Sequence, residues 1–315
     1  HMSELLPVYM ETMQKRMDGE EGTRNLKTGI EELDDATGGI NLQDLIVVAG
    51  RPGMGKTEFA LKIVDGVTAA GGGALIFSME MAAAQIVERS LAGSGNMSVS
   101  RLRNPLDMQD EDWARFTAAM ETMNGRDIWI VDATDLTIEQ IRAVAETHKR
   151  RYPHLAMIVV DYLGLIKKPK AERNDLAIAH ISRNLKTMAM RLHTPTFALS
   201  QLSRAVDSRP ALQRRPVMSD LRDSGSIEQD ADSIMFLYRD EVYNPESPAA
   251  GVAEIILGKS RFSAAGAIIY QEFKNGHFLS MDQHVGKEKT RIQLEAAKPR
   301  KQPRKYSEKF NTDAF

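Results

Sequence analysis

The sequence contains no cysteine among its 315 residues. Disulfide bonds and cysteine-ligated zinc sites are therefore excluded, and the composition fits a reducing compartment. Long apolar runs are missing as well, since the longest stretch without a charged residue, Gly66 to Met79, has only 14 residues and includes three consecutive glycines. A membrane-spanning helix needs about 20 predominantly apolar residues. We therefore expect no membrane partner.

A strong excess of one charge is also missing, because 41 Lys and Arg face 43 Asp and Glu for a net charge of −2. Bulk charge therefore does not indicate a nucleic-acid partner, and any such site has to be sought in local loops. The charge is uneven, however: residues 286–315 carry nine basic and four acidic side chains. This stretch is polar and interrupted by proline, and we predict that residues 286–315 form a basic, disordered tail.

Apolar segments alternate with helical patterns from Leu45 onward, which predicts a doubly wound α/β domain over residues 23–285. Continuous apolar runs indicate strands that are buried on both faces of a mostly parallel sheet, with helices on both sides. The predicted strands are 45–49, 74–77, 128–131, 157–160, 196–199, 234–237 and 255–257. Between them, Thr137 and Gln140 form a capping box that predicts the start of a helix.

The N-terminal residues predict a short amphipathic helix, in a linker that we assign to residues 3–22. Leu6, Met10, Met13 and Met17 recur at the spacing of one helix face. A helix this short cannot bury its apolar face alone. Two surfaces are open to it: its own domain or a neighbouring subunit.

The segment from Gly50 to Thr57 has the pattern G-x-x-x-x-G-K-[ST] of a phosphate-binding loop. In this pattern the backbone N–H groups surround phosphate oxygens, the lysine reaches the β- and γ-phosphates and the hydroxyl ligates Mg²⁺. Here Lys56 is the lysine that reaches the phosphates, and Thr57 carries the hydroxyl that ligates Mg²⁺. The predicted nucleotide-binding residues are Gly50, Arg51, Pro52, Gly53, Met54, Gly55, Lys56, Thr57 and Glu58.

Two carboxylates follow strands that should end beside this loop. Asp161 comes directly after the run 157–160, and we predict that it holds Mg²⁺ through water together with Thr57. Glu80 follows the run 74–77 and is our candidate for the base that activates water. The alternatives are that Asp161 caps a turn and that Glu80 is only a solvated carboxylate.

Three further polar residues follow predicted strands. Gln201 can sense the γ-phosphate through its amide, or it can be a simple polar residue at a strand end. Lys259 and Arg261 can act as an arginine-finger pair, or they can be solvated cations.

Five segments resemble the replicative DNA helicases of the DnaB type. They are 28–34 (TGIEELD), the phosphate loop, 77–81 (FSMEM), 160–163 (VDYL) and 199–204 (LSQLSR). The most specific match is 219–232 (SDLRDSGSIEQDAD), which resembles the DNA-binding loop of that family and the helix that follows it. The resemblance covers about residues 23–280, and the N-terminal helix is similar to the family's linker helix.

This resemblance implies a RecA-like ATPase core of the P-loop NTPase class. It further implies a homo-hexameric ring that hydrolyses ATP with Mg²⁺ and moves 5′ to 3′ on single-stranded DNA. By motif, Glu80 becomes the catalytic base, Gln201 the γ-phosphate sensor, and Lys259 and Arg261 fingers that act on the neighbour's nucleotide. The DNA contacts that it implies are Arg222, Asp223, Ser224 and Gly225.

The resemblance also implies a primase and a helicase loader as partners. The location it implies is the cytoplasm, in the replisome of a bacterial or phage-infected cell. The family's N-terminal helical domain has no counterpart, so the sequence looks like a fragment or a shortened homologue. The turn after Arg261 also departs from the more polar turn that is usual in the family.

Two alternatives remain open. One is a RecA- or RadA-like recombination ATPase, because residues 259–262 (KSRF) are similar to the Lys-Asn-Arg-Phe motif of RadA-like proteins. Those proteins usually carry a zinc finger, which the absence of cysteine excludes here. The other is a nucleotide-binding adaptor without catalytic activity.

Overall fold

The computed structural model describes residues 1–18, 25–168, 174–221, 225–261 and 265–298. Within these ranges nine strands form one sheet in the order β3-β2-β4-β5-β1-β6-β7-β8-β9. The strands are β1 (Leu45–Gly50), β2 (Gly73–Ser78), β3 (Ile128–Val131), β4 (Leu155–Asp161), β5 (Thr196–Gln201), β6 (Ser233–Tyr238), β7 (Val252–Ser260), β8 (Ile268–Lys274) and β9 (His277–Ser280).

The first six strands run parallel, and β7, β8 and β9 continue the sheet in antiparallel fashion. Side chains that alternate along β1 enter two different cores: Ile46 and Val48 pack on one face of the sheet, and Val47 packs on the other. Both faces are covered by helices, which is why the parallel strands read as continuous apolar runs. The predicted doubly wound α/β fold is confirmed.

The described part of the chain contains ten α-helices. They are α1 (Met2–Asp18), α2 (Glu31–Thr37), α3 (Lys56–Ala69), α4 (Ala83–Ser94), α5 (Val99–Arg103), α6 (Asp110–Asn124), α7 (Ile138–Arg151), α8 (Asn174–Leu192), α9 (Gly225–Asp230) and α10 (Gln283–Ala296). The predicted capping box is present at the start of α7, where the Thr137 hydroxyl accepts from the backbone N–H of Gln140. The side chain of Gln140 accepts in return from the N–H of Thr137 at 2.8 Å.

Helix α1 lies where the sequence predicts an amphipathic helix, and residues 19–22 of the predicted linker lie outside the described residues. The apolar side chains of α1 are exposed to solvent on this chain. Leu6, Met10 and Met17 keep 54%, 67% and 76% of their surface accessible. No helix in the described residues has the length and apolar character that a membrane span requires.

The C-terminal residues correct one prediction, because residues 286–296 belong to α10 and are not a disordered tail. Asp282 caps this helix by accepting from the backbone N–H groups of His284 and Val285. The helix buries Gly286, Thr290 and Gln293 against the sheet, and Gln293 donates to Asp240 at 3.1 Å. Since this buried face is almost free of apolar side chains, hydrophobic periodicity gave no signal for the helix. Residues 299–315 of the predicted tail lie outside the described residues.

Candidate functional site

The predicted phosphate loop connects β1 to α3 and has the backbone geometry of an anion cradle. Gly53 and Gly55 have φ values of +82° and +91°, a conformation that strains residues with a side chain. A Cβ on Gly55 would also lie 3.1 Å from the rings of Phe273 and Phe278. No side chain caps the first turn of α3, so its backbone N–H groups and its dipole are available to an anion.

Lys56 lies at the start of α3 with its ammonium group turned back over the loop. Its Nζ donates to the carbonyl oxygen of Gly50 at 3.2 Å. Burial lowers the pKa of Lys56, while the nearby charges of Asp161 and Glu80 act in the opposite direction. The side chain is therefore a partly desolvated cation, which interacts with phosphate more strongly than a fully hydrated one does.

Thr57 and Asp161, the two residues that the sequence predicts to hold Mg²⁺, contact each other directly. The hydroxyl of Thr57 donates to Oδ2 of Asp161 at 2.7 Å. Burial raises the pKa of Asp161, whereas the Thr57 hydrogen bond and the positive charges of Lys56 and Arg89 lower it. This pair supplies hydroxyl and carboxylate oxygens, the ligand type that Mg²⁺ prefers.

Glu80 and Gln201 line the same cleft as Lys56, Thr57 and Asp161. Ser78 pairs with Asp161 in the sheet register, which places Glu80 just beyond the end of β2 and beside Asp161. Gly50 pairs with Gln201, so the last residue of β5 stands next to the start of the phosphate loop. Parallel strands that end at one edge therefore bring together these five residues from four separate segments of the sequence.

Some loop residues use their side chains for internal contacts. The guanidinium of Arg51 pairs with Asp207 and donates to the carbonyl of Leu202 at 2.8 Å. The side chain of Met54 is buried. Arg239 donates to the carbonyl of Gly53 at 3.0 Å. Arg51 and Met54 therefore hold the loop in place through their side chains and can contribute to an anion site only through their backbone.

Glu58 also directs its side chain into an internal network. Its carboxylate pairs with Arg89 of α4 and lies 3.1 Å from Nδ1 of His277 in β9. Arg89 lines the cleft beside Glu80 and Asp161. The sequence analysis missed Arg89 and His277, because neither belongs to a phosphate-loop motif and His277 is 219 positions from Glu58.

Lys259 and Arg261 are not brought to this cleft. Lys259 pairs with Ile234 near the start of β6, and the start of β6 lies beside the start of β1, at the opposite edge of the sheet from the phosphate loop. Nζ of Lys259 donates to the carbonyl oxygens of Glu228 and Ala231 at 2.5 and 2.7 Å. Nε of Arg261 lies 3.2 Å from Oδ1 of Asp232, which is buried.

Of the four predicted DNA contacts, Arg222, Asp223 and Ser224 lie outside the described residues. Gly225 begins α9 and is exposed. The segment before them is tied to the cleft, because Leu202, next to Gln201, forms an antiparallel bridge with Leu221. The backbone N–H of Ser203 donates to the carbonyl of Asp220 at 2.9 Å.

The donor set of the cleft fits a Mg²⁺-nucleotide better than a metal ion alone. No group of three or more His, Asp or Glu side chains in the described residues is arranged to hold a metal. Thr57 and Asp161 offer only two side-chain positions, and Mg²⁺ bound in this way takes its other ligands from phosphates and water. The glycine cradle and the cationic Lys56 match the phosphates themselves.

Known proteins are similar to this chain in both sequence and fold. A family model described as DnaB-like helicase C terminal domain matches residues 25–277. A relative from Pasteurella multocida, "Replicative DNA helicase DnaB", is 43% identical over 256 residues, which is 80% of this chain and 54% of that protein. The chain therefore spans only about half the length of this relative.

Two solved structures superpose closely on the chain. One, described as an "ATPase Domain", has a TM-score of 0.80 at 32% identity and covers 88% of this chain and 99% of that one. The other, "The Structure Of A DnaB-Like Replicative Helicase And Its Interactions With Primase", has a TM-score of 0.80 at 31% identity, over 90% of this chain and 67% of that one.

Proposed function

Because the chain belongs to the family of DnaB-like helicase C-terminal domains, we propose that it is the ATPase motor of a replicative DNA helicase. The observation that carries this proposal is the cleft in which the phosphate loop, Glu80, Asp161 and Gln201 converge. ATP binds in this cleft, and its hydrolysis drives movement along single-stranded DNA, 5′ to 3′, and the separation of the duplex.

The side chains of the cleft divide the work of hydrolysis. Lys56 and the N–H groups of α3 bind the β- and γ-phosphates, and Thr57 and Asp161 hold Mg²⁺, directly and through water. When bound by Thr57 and Asp161, Mg²⁺ would compensate the negative charge of the phosphates. Glu80 accepts the proton of the attacking water. Gln201 donates its amide hydrogen to the γ-phosphate and loses this partner when the phosphate leaves.

The two finger residues, Lys259 and Arg261, act on the nucleotide of a neighbouring subunit. Lys259 and Arg261 lie at the sheet edge opposite their own phosphate loop, so they can reach a nucleotide only across a subunit contact. This arrangement supports a ring of identical subunits, for which we propose the hexamer. The exposed apolar face of α1 supports docking on a neighbouring subunit in the same ring.

Single-stranded DNA passes through the centre of this ring and contacts Arg222, Asp223, Ser224 and Gly225. Arg222 pairs with phosphates, and the N–H groups near Gly225 offer further donors. Asp223 would be repelled by phosphate, so we propose that it orients Arg222 or accepts a hydrogen bond from a neighbouring loop. We further propose primase and a helicase loader as partners and the bacterial cytoplasm as the location. One structural relative is described together with its interactions with primase.

The test of this function is ATP hydrolysis with and without single-stranded DNA, followed by unwinding of a forked duplex with a 5′ tail. We expect DNA to stimulate hydrolysis, and Lys56→Ala to abolish both hydrolysis and unwinding. Binding of ATP without any DNA-stimulated turnover would indicate an adaptor. DNA-stimulated turnover with strand exchange and no unwinding would indicate a recombination ATPase.

Arg222→Ala separates DNA binding from catalysis in the same assay. Basal hydrolysis should persist while the stimulation by DNA is lost, because only a phosphate contact is removed. Affinity for DNA should fall similarly for all base sequences, with a shallower dependence on salt. Equal affinities and equal salt slopes for the variant and the unmodified protein would remove Arg222 from the DNA path.

A further inference from the structure

Asp232 and Arg261 face each other just outside two paired strands. In the antiparallel pairing of β6 with β7, Ser233 lies opposite Ser260. Asp232 directly precedes Ser233 and Arg261 directly follows Ser260, so the strand register brings them together. Nε of Arg261 lies 3.2 Å from Oδ1 of Asp232. A carboxylate is therefore placed at the inner nitrogen of the guanidinium that we assign to the finger.

The carboxylate of Asp232 is fixed by the core of its own domain. Only 1% of the residue surface is exposed. Its Oδ2 accepts from the backbone N–H of Leu45, at the start of β1, at 2.8 Å and from Nζ of Lys186 in α8 at 2.6 Å. Lys186 also donates to the carbonyl oxygen of Gln43 at 2.8 Å. Because these contacts hold Oδ2, Oδ1 is presented to Arg261 from a fixed position.

Arg261 differs from its partner in being largely outside this core. Its side chain is 53% exposed. Lys186 already supplies a counter-ion for the buried carboxylate, so neutralising the charge of Asp232 does not require Arg261. A long arginine side chain at an exposed position samples many rotamers unless it is held. The contact with Asp232 therefore restricts the direction in which the guanidinium leaves the sheet edge.

We propose that Asp232 is a positioning residue for Arg261, which holds the guanidinium in the orientation that it needs to reach the nucleotide of a neighbouring subunit. This proposal rests on the finger role of Arg261 in the proposed function. A finger stabilises the charge of the transition state, and this effect is lost when the finger is misplaced. Asp232 then serves a nucleotide that its own subunit does not bind.

Asp232→Asn tests this role, because the amide keeps an oxygen for Leu45 and Lys186 but turns a donor toward Arg261. The kcat of ATP hydrolysis should fall about 10- to 100-fold, as expected for a misplaced catalytic group. Affinity for a fluorescent ATP analogue should change by less than about twofold, because the variant's own phosphate loop is intact. In an Arg261→Ala background, Asp232→Asn should cause no further loss of kcat.

The matched control is Lys186→Met, which removes the other charged partner of the same carboxylate. It should keep kcat within about twofold of the unmodified protein, because Oδ1 still faces Arg261. If Asp232→Asn alone does not fold, the double variant Asp232→Asn/Lys186→Met removes both charges of the buried pair and leaves none unpaired. This double variant should bind the analogue and show the same loss of kcat.

Mixing variants separates a defect in the finger from a defect in the fold. Asp232→Asn mixed with Lys56→Ala should regain ATPase activity, since some sites combine an intact loop with a correctly held finger. Asp232→Asn mixed with Arg261→Ala should regain none, because both variants lack the same half of the site. Pulling down an untagged variant with a tagged one shows that mixed assemblies have formed.

Several outcomes would overturn this role of Asp232. They are normal kcat in Asp232→Asn, loss of analogue binding in both Asp232→Asn and the double variant, and equal losses of kcat in Asp232→Asn and Lys186→Met. Activity regained from Asp232→Asn with Arg261→Ala would overturn it too. Normal kcat in Arg261→Ala is a different result: it would contradict the finger role in the proposed function, and the positioning role with it.

Discussion

The hydroxyl of Thr57 donates a 2.7 Å hydrogen bond to Oδ2 of Asp161, joining the first turn of α3 to the end of β4 across 104 positions of sequence. This contact connects the phosphate loop, which follows β1, to the end of β4. Because β2 and β5 end at the same edge of the sheet, Glu80 and Gln201 stand beside it. The cleft therefore brings together the residues that we propose as the phosphate-binding cation, the Mg²⁺-binding pair, the base and the γ-phosphate sensor.

Lys56 and Glu80 should separate nucleotide binding from hydrolysis. Lys56→Ala should weaken ATP binding about 10- to 100-fold, because it removes a charged hydrogen-bond donor to the phosphates. Glu80→Gln should bind ATP almost normally but lower kcat about 10²- to 10⁴-fold, because only proton acceptance is lost. Titration with a fluorescent ATP analogue and a phosphate-release assay measure the two effects. Nearly normal turnover in Glu80→Gln would refute its assignment as the base.

The sequence was sufficient to predict most of the sheet and the centre of the cleft. Strands β1, β2, β4, β5 and β6 are buried almost throughout, and β3 and β7 are buried in part. Each of these seven strands therefore contains a run of apolar residues that can be recognised without its partner. The polar residues that follow such runs, Asp161, Glu80 and Gln201, must then meet, since parallel strands end at one edge. For these three residues, their position at the end of a strand was enough to predict that they lie close together.

Other parts of the fold could not be predicted, because polar contacts between residues far apart in the sequence hold them in place. Strands β8 and β9 combine apolar and polar residues without a regular period in an antiparallel extension, and α10 docks through Gln293 and other polar groups. His277 meets Glu58 only because β9 packs against the start of α3. A single histidine near the end of a sequence carries no periodicity, so no local pattern indicates its partner.

The two finger residues should complete a site that belongs to a neighbouring subunit. Arg261→Ala should lower ATP hydrolysis about 10³- to 10⁵-fold, as is typical when an arginine finger is removed. Lys56→Ala is inactive for a different reason, because its own phosphate loop is defective. Mixing the two inactive variants should form some sites with an intact loop and an intact finger, so that part of the ATPase activity returns.

This complementation requires that the two variants assemble together. Mixed assembly can be shown by pulling down an untagged variant with a tagged one. Each variant mixed with the unmodified protein provides the reference for the activity expected from random assembly. If mixed rings form and no activity returns, Lys259 and Arg261 do not act across a subunit contact.

The stability of the fold should depend on pH through Asp44, which lies just before β1. Asp44 is buried, and burial, followed by the charge of Asp232, raises its pKa to about 6. Between about pH 4 and pH 6 the folded state retains a proton that the unfolded state has released, so stability falls as the pH rises. Above this range Asp44 is ionised in both states, so the burial of its charge lowers the free energy of unfolding by a constant amount.

Asp44→Asn should remove this cost. Relative to the unmodified protein, the free energy of unfolding of the variant should increase by about 2 kcal/mol between pH 4 and pH 7, because the amide cannot ionise. Urea unfolding across this pH range measures the difference. Asp135→Asn, at an exposed position on the surface, provides the control and should show no such trend. A constant difference between Asp44→Asn and the unmodified protein would contradict the prediction.

Gln201 should couple the state of the nucleotide to the DNA-binding segment. It lines the cleft, and the next residue, Leu202, bridges to Leu221, which directly precedes Arg222. A second backbone hydrogen bond, from Ser203 to Asp220 at 2.9 Å, reinforces this connection. Movement of Gln201 when the γ-phosphate leaves would therefore be transmitted over two short backbone contacts.

Gln201→Ala should consequently bind both ATP and single-stranded DNA, yet hydrolyse ATP at the same rate with and without DNA. The physical reason is that the amide is the part of this connection that we propose to contact the γ-phosphate, while the loop, Glu80 and Arg222 stay intact. The ratio of the two hydrolysis rates at saturating DNA is the measurement, with Gln109→Ala, an exposed glutamine at the start of α6, as the control. If Gln201→Ala kept the stimulation of the unmodified protein, the bridge between Leu202 and Leu221 would be structural only. Coupling would then have to run through the residues that follow the 222–225 segment, where Lys259 donates to the carbonyl oxygens of Glu228 and Ala231.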